Sequence, residues 1–441
     1  MQGPSPLLPE PDRPLRDAAR RVVVTGMGIV TPIGENLTEY RDSLMAGRSG
    51  ITRWKNMDER IESKIGGDMS DFDLRAHLAR HATVYPPELA QRAARLLRAT
   101  PQTGCLTSAA ALQTFLDAGL PDPALSPERF GHVLAGHNLN ARYIFENALT
   151  LHDEPEFIDP LYGIMFLDSD VLSVVSELLL CCGPSLTVGG ACASGNVALL
   201  TALDLLRSGR ADGVMVTGGA AAFEPVMLQG WTIAEAMAVR SFNDDPERAS
   251  RPWDVRREGF VPCEGAGAVM LETLAGAQAR GARIYAELLG GAYTSDASRL
   301  PKPNAQGQAR AMRLALQDAG VSPERVNYIN AHATSTILGD TVEVEAIKAT
   351  FGEHAYHIPV NATKSMVGHC LASAAVVEFV ATVLQMAHSF LHPTINLDEQ
   401  EPGLDLDFVP HHARPYHIEI AVSNAFGFGG INTAVVVGRA P

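Results

Sequence analysis

PSLTVGGACASGNVALL, residues 184–200, runs from an apolar β-type stretch through two glycines and a cysteine among small residues into a helical pattern. A strand that hands its chain to a helix through a Gly/Ala turn is a building unit of an α/β layer. Here the turn carries Cys192. A helix N-terminus favours a thiolate through its dipole and free amides, and small neighbours let an acyl group and backbone donors come close. Taken alone, a cysteine in such a turn serves packing more often than catalysis.

The same alternation recurs on both sides. Residues 21–34, RVVVTGMGIVTPIG, read as a buried strand entering a glycine turn, and further strands are expected at 213–219, 265–271, 283–289, 326–329, 358–360, 418–422 and 433–437. Helical periodicity fits 196–207, 308–319, 341–349 and 372–387. This predicts α/β layers in two related halves, 21–275 and 276–441, after a Pro- and charge-rich tail at 1–20, with a charged insertion at about 56–98.

The 441 residues are 46% hydrophobic and 19% charged, enough apolar chain for one large core or two fused ones. A formal charge of -15, from 35 basic and 50 acidic residues, argues against a general affinity for nucleic acid or anionic membranes. No uncharged 18-residue apolar run and no signal-peptide core appear, so no membrane insertion and a cytoplasmic location are expected. The six cysteines show no zinc or disulfide spacing, and no metal is expected.

Three more segments carry chemistry. Residues 327–343, NYINAHATSTILGDTVE, place His332 just past a strand end with hydroxyls at Thr334, Ser335 and Thr336, on the rim where α/β sheets bind ligands. Residues 360–378, VNATKSMVGHCLASAAVVE, set Lys364 and His369 at the start of a helix that also holds Glu378. Residues 423–432, SNAFGFGGIN, flank Phe426 and Phe428 with glycines but lack the spacings of nucleotide-phosphate loops.

At these four segments, and at ASRPWD (249–254) and EGFVPCEGAG (258–267), the chain resembles the β-ketoacyl-acyl-carrier-protein synthases, the condensing enzymes of fatty acid and polyketide assembly. The resemblance implies a thiolase-type α/β fold, duplicated αβαβα halves in one compact unit, and a homodimer or a heterodimer with a paralogue. It implies Cys192 as nucleophile, with its own amide and that of Phe428 as the oxyanion hole. His332 and His369 would stabilise the enolate from decarboxylation of a malonyl thioester, and Lys364 and Glu378 would orient His369. Thr334 and Thr336 would bind the pantetheine amides, and Phe428 would act as a gate. Phe426, Asn138 and Trp231 would lie on the substrate side. No dissociable cofactor is implied, because the phosphopantetheine arrives on an acyl carrier protein. Such carriers are acidic, and Arg207 and Arg210 are candidates to meet one.

Some positions depart from the family pattern. AGHNLN (135–140) stands where a glycine-rich run is usual, with His137 and Asn138 polar beside an acyl pocket; Ala333 replaces a glycine, Pro301 a threonine and Trp231 a phenylalanine. Polar groups there suit a long alkyl chain poorly, so polyketide rather than long-chain fatty acyl substrates are expected. Two alternatives stand beside condensation. One is a malonyl-carrier decarboxylase of polyketide β-branching cassettes, which usually carries serine where this chain has Cys192. The other is a non-catalytic partner resembling a chain-length factor. A coenzyme A thiolase would need a second cysteine near SNAFGFGG, which has none.

Overall fold

The computed structural model describes residues 21–238, 240–298 and 302–440; the expected tail at 1–20 and Pro301 lie outside them. Ten strands form one sheet: β1 (Val22–Val30), β2 (Phe130–Ala135), β3 (Ser185–Val188), β4 (Gly213–Gly218), β5 (Ala266–Thr273), β6 (Ala286–Ser295), β7 (Tyr328–Asn330), β8 (Val360–Asn361), β9 (Ile420–Gly427) and β10 (Ile431–Arg439). Their order is β8-β7-β9-β10-β6-β1-β5-β4-β2-β3. From the middle outward, each set of five runs first, fifth, fourth, second, third. In both sets the second strand pairs in parallel with the third and fourth, and the remaining pairs are antiparallel. The sets meet where Val22, Val23 and Val24 of β1 pair with Leu288, Glu287 and Ala286 of β6. The same topology thus occurs twice.

The helices that position the site are α1 (Gln102–Asp117), α2 (Ala141–Asp153), α3 (Asp168–Leu179), α4 (Ser194–Arg207), α5 (Pro225–Ile233), α6 (Ala305–Ala319), α7 (Ile337–Phe351) and α8 (Ala374–His388). Helix α1 covers β1 and β5 on one outer side, and α6 covers β6 and β10 on the other. Helices α4 and α8 pack on each other and on strands of both sets, so they form the central layer of five. A Cβ on Gly195 of α4 would come 2.7 Å from the Val376 amide of α8, so the crossing needs a glycine there. Residues 374–386 of α8 are all buried, as an apolar helix enclosed on every side requires. The stretch Leu371–His388 is long and apolar enough to cross a membrane, but 83% of it is buried within the protein, as in a core helix.

Within the insertion, Leu74 and Leu78 of helix Leu74–Arg80, Ala93 of helix Pro87–Leu96, and Tyr85 and Leu97 just outside these helices join one cluster with Leu106, Leu112 and Phe115 of α1. The sheet strands at 286–295, 420–427 and 431–439 extend beyond the expected stretches because pairing partners, rather than local hydrophobicity, set their ends.

Candidate active site

Cys192 lies in a tight turn, Ala191–Ala193, between β3 and α4. Ala191 takes a positive φ of 49°, a strained conformation for a non-glycine residue. The buried Ser194 locks the turn: its Oγ accepts from the Gly190 amide at 2.8 Å and donates to the Ala191 carbonyl at 2.7 Å. The glycine hairpin presses on the same turn, for a Cβ on Gly427 would stand 2.3 Å from the Gly190 carbonyl oxygen. Cys192 remains partly accessible. Its thiol is pushed up to about 11 by burial, an effect that the Lys364 ammonium and the backbone amides of Cys192 and Phe428 oppose. Desolvation thus opposes the thiolate that the turn's amides and Lys364 favour. Both amides of the expected oxyanion hole nevertheless converge on the sulfur.

His332 follows β7, and its backbone is clamped from α7: Glu343 accepts the His332 amide at 2.9 Å and the Ala333 amide at 2.8 Å. Asn424 of β9 donates to the same carboxylate at 3.1 Å. Lys364 Nζ donates to the His332 carbonyl at 2.7 Å and to Glu378, and it stands 3.4 Å from His332 Nδ1. An ammonium has no acceptor, so Nδ1 accepts and the neutral ring carries its proton on Nε2. The His369 ring is buried at 85° to that of His332 with centroids 5.6 Å apart, and at 5.4 Å from the Phe260 ring. Burial first, and then the Lys364 charge, hold both histidines well below the usual imidazole range; His369 depresses His332 further. Both rings are neutral near pH 7. Burial raises Glu378 to about 7, with Lys364 opposing the rise.

One expectation about the chain path fails. Lys364 and His369 do not begin the helix that holds Glu378: Lys364 opens a single turn, Lys364–Val367, and His369 sits in the following loop. The chain breaks at Gly368, with φ 86°, and at Leu371, with φ 49°, before α8 starts at Ala374. Those breaks bring both side chains beside His332 while α8 supplies Glu378 to Lys364.

Phe426 is buried with its ring 5.6 Å from that of His332. Phe428 stands at the hairpin tip, 47% exposed. Thr334 and Thr336 lie together, their hydroxyls 3.0 Å apart, just before α7. Trp231 is one ring removed: it packs edge-on against Phe260 at 5.6 Å, and Phe260 touches His369. Asn138 is exposed in a left-handed conformation, its amide donating to Asp168 of α3 at 3.0 Å, and it makes no hydrogen bond or ring contact to the cluster among the described residues. Arg207 does not suit a docking role, because it pairs with Asp318 at 3.1 Å and donates to the Leu289 carbonyl at 2.8 Å. Arg207 and Arg210 also lie at the far end of α4, about 20 Å from the nucleophile at 1.5 Å per residue.

Glu343, Asn424 and Asn330 were missed by the sequence reading. They act on the histidine loop and on Glu378 from three separate elements. The signal was the acidic residue one face along α7 from the hydroxyl turn. Glu35, His77 and His81 approach within 4.8 Å of one another, but Glu35 and Tyr85 occupy both ring nitrogens of His77, and Arg80 holds Glu35. That cluster fits an ion-pair network rather than a metal centre.

Residues 19–277 match the Beta-ketoacyl synthase, N-terminal domain, and residues 285–398 the Beta-ketoacyl synthase, C-terminal domain. A 3-oxoacyl-[acyl-carrier-protein] synthase 2 of Synechocystis sp. is 39% identical over 423 residues, covering 94% of this chain and 97% of the relative. A chloroplastic 3-oxoacyl-[acyl-carrier-protein] synthase I of Arabidopsis thaliana is 37% identical over 433 residues, 95% of this chain and 86% of the relative. Among solved structures, a type II polyketide ketosynthase in complex with its acyl-carrier protein and bound to the hexaketide superposes with a TM-score of 0.83 at 31% identity, covering 96% of this chain and 100% of that one. A beta-ketoacyl synthase from Burkholderia phymatum gives 0.83 at 30% identity over 96% of this chain and 100% of that one. The doubled sheet, the thiol turn and its two neutral histidines thus belong to a thiolase-fold ketosynthase, and the chain is a member of the β-ketoacyl synthase family of condensing enzymes.

Proposed function

We propose that Cys192 takes an acyl group from a carrier protein's phosphopantetheine arm and condenses it with a malonyl unit on a second carrier. The observation that carries this reading is the pair of neutral imidazoles in ring contact beside Lys364, which fixes the His332 tautomer and whose charge also reaches the Cys192 thiol. The malonyl carboxylate leaves as carbon dioxide, and its bonding electrons become an enolate whose oxygen accepts the N–H groups of His332 and His369. The enolate carbon attacks the Cys192 thioester. The resulting oxyanion is held by the amides of Cys192 and Phe428, and the thiolate departs as the β-ketoacyl carrier product forms. No dissociable cofactor enters this scheme. AGHNLN supports short or oxygenated acyl chains, as in polyketide assembly, and a cytoplasmic location is part of the same proposal.

Carrier docking is better supported on the insertion than at Arg207. Arg75, Arg95 and Arg98 line one hollow of about 520 Å³ and have no hydrogen-bond or ion-pair partner among the described residues. Three unpaired guanidinium groups in a chain of net charge -15 suit an acidic carrier. The base of the insertion reaches the stretch that pairs with His369, since the Gly67 amide donates to the Pro262 carbonyl and Pro262 bridges to His369. A second copy is supported at β3, a half-exposed edge strand, and by exposed Leu149, Leu151, Phe157 and Ile164 in the same half of the chain. Sedimentation would show a dimer; a monomer at micromolar concentration would overturn that part.

Carbon dioxide release from malonyl-carrier protein tests the chemistry. His332→Ala and His369→Ala should each lower the rate a hundredfold or more, roughly the effect of losing an oxyanion donor. Undiminished release by either variant would overturn the assigned role.

A further inference from the structure

Thr334 and Thr336 sit on a backbone that would not hold its shape unaided. Ala333 has φ 29° and Ser335 φ 67°, and across from them Trp253 has φ 64°. Positive φ at non-glycine residues persists where surrounding contacts over-determine it. Glu343 holds the Ala333 amide, and for Ser335 and Trp253 the contacts come from one buried ion pair. Asp340 accepts the Ser335 amide at 3.1 Å and the Trp253 amide at 3.0 Å, and Arg257 approaches the same carboxylate at 3.6 Å.

Arg257 is 3% exposed and uses all five of its N–H groups. Nε donates to the Thr336 carbonyl at 3.3 Å, and Nη2 donates to the Ile337 carbonyl at 2.8 Å and to Thr341 Oγ1 at 3.1 Å. Nη1 donates to the Asp254 carbonyl at 3.0 Å and to Glu401. A lysine, with three donors and no fork, cannot make this set of bonds. Arg257 therefore ties the hydroxyl turn, the start of α7 and the loop at Glu401 into one unit. It reaches none of Cys192, His332 or His369 through a hydrogen bond.

We infer that Arg257 is a positioning residue for the carrier-borne arm: it holds the Thr334–Thr336 turn at the geometry that receives the arm's amides, leaving the decarboxylation chemistry itself to the histidines. This rests on the functional reading above, in which those hydroxyls meet the arm. It gives a pattern that general loss of structure does not produce, because the effect must depend on whether the substrate has amides to bind.

The test compares two substrates in wild type, Arg257→Gln, Arg257→Lys and Glu401→Gln. One is malonyl-carrier protein; the other is the malonyl thioester of ethanethiol, which has no amide. Arg257→Gln should raise KM for malonyl-carrier protein about tenfold while kcat/KM for the ethyl thioester stays within twofold. Arg257→Lys should recover part of the KM. Glu401→Gln, at a side chain one-third exposed, should shift KM the same way by a smaller factor. Equal losses on both substrates, or no loss on either, would overturn the inference. A wild-type enzyme that decarboxylates neither thioester would instead sink the functional reading, and this proposal with it.

Discussion

Replacing Lys364 by Met removes the charge that three groups share. In the native site the ammonium donates to Glu378 and to the His332 carbonyl and stands by His332 Nδ1. Breaking a buried ion pair from one side costs about 3–5 kcal/mol, because the other charge is left uncompensated. Unfolding entropy of about 2 cal/mol/K per residue gives about 0.9 kcal/mol/K for 441 residues. The expected fall in Tm is thus about 3–5 °C. Its pH dependence is the sharper part. Burial already raises Glu378 from 4.5 to about 7, with Lys364 as the largest opposing effect; without Lys364 the carboxyl rises further. A carboxyl raised in the folded state favours folding at low pH, and that contribution is lost as pH climbs from the unfolded value to the folded one. In the variant this window extends above 7, at about 1.4 kcal/mol per pH unit. Thermal melts of wild type, Lys364→Met, Glu378→Gln and the double variant at pH 6.0 and 8.5 read this directly. Lys364→Met should show most of its fall in Tm at pH 8.5 and little at pH 6.0, and the double variant should regain much of the loss. A Lys364→Met protein as stable as wild type at pH 8.5, or equally weakened at both pH values, would refute the reasoning.

Other consequences are as definite. Cys192→Ala should abolish condensation while malonyl-carrier decarboxylation persists, because the enolate oxygen is bound by the imidazoles; product analysis by mass spectrometry separates the two, and equal loss would contradict the division of roles. With the Cys192 thiol at about 11, its alkylation by iodoacetamide should quicken about tenfold per pH unit from 7 to 9; a rate flat over that range would mean a thiolate already formed. Arg95→Glu with Arg98→Glu should raise KM for carrier-bound substrates severalfold and flatten its salt dependence, leaving the ethyl thioester untouched; unchanged carrier KM would move the docking surface elsewhere.

The nucleophile turn was legible because its chemistry is local: the strand and the helix flank Cys192 directly in sequence. The duplication was only suspected, since what repeats is the order and direction of strand pairing, which side chains do not record. The helical reading through His369 failed because an apolar, small-residue run looks continuous, whereas the backbone breaks at Gly368 and Leu371. Glu343 escaped notice because its contact with the His332 amide exists only once α7 folds back on β7. Arg207 looked free for the same reason: its partner Asp318 lies 111 positions away.

The central claim is that one thiol and two neutral histidines carry out a decarboxylative condensation, and intact-mass measurement of enzyme and carrier after mixing malonyl-carrier protein with a short acyl donor tests it most directly. The account predicts an acyl adduct on Cys192 together with a β-ketoacyl carrier product; acetyl-carrier protein alone, with donor present and Cys192 unmodified, would contradict it.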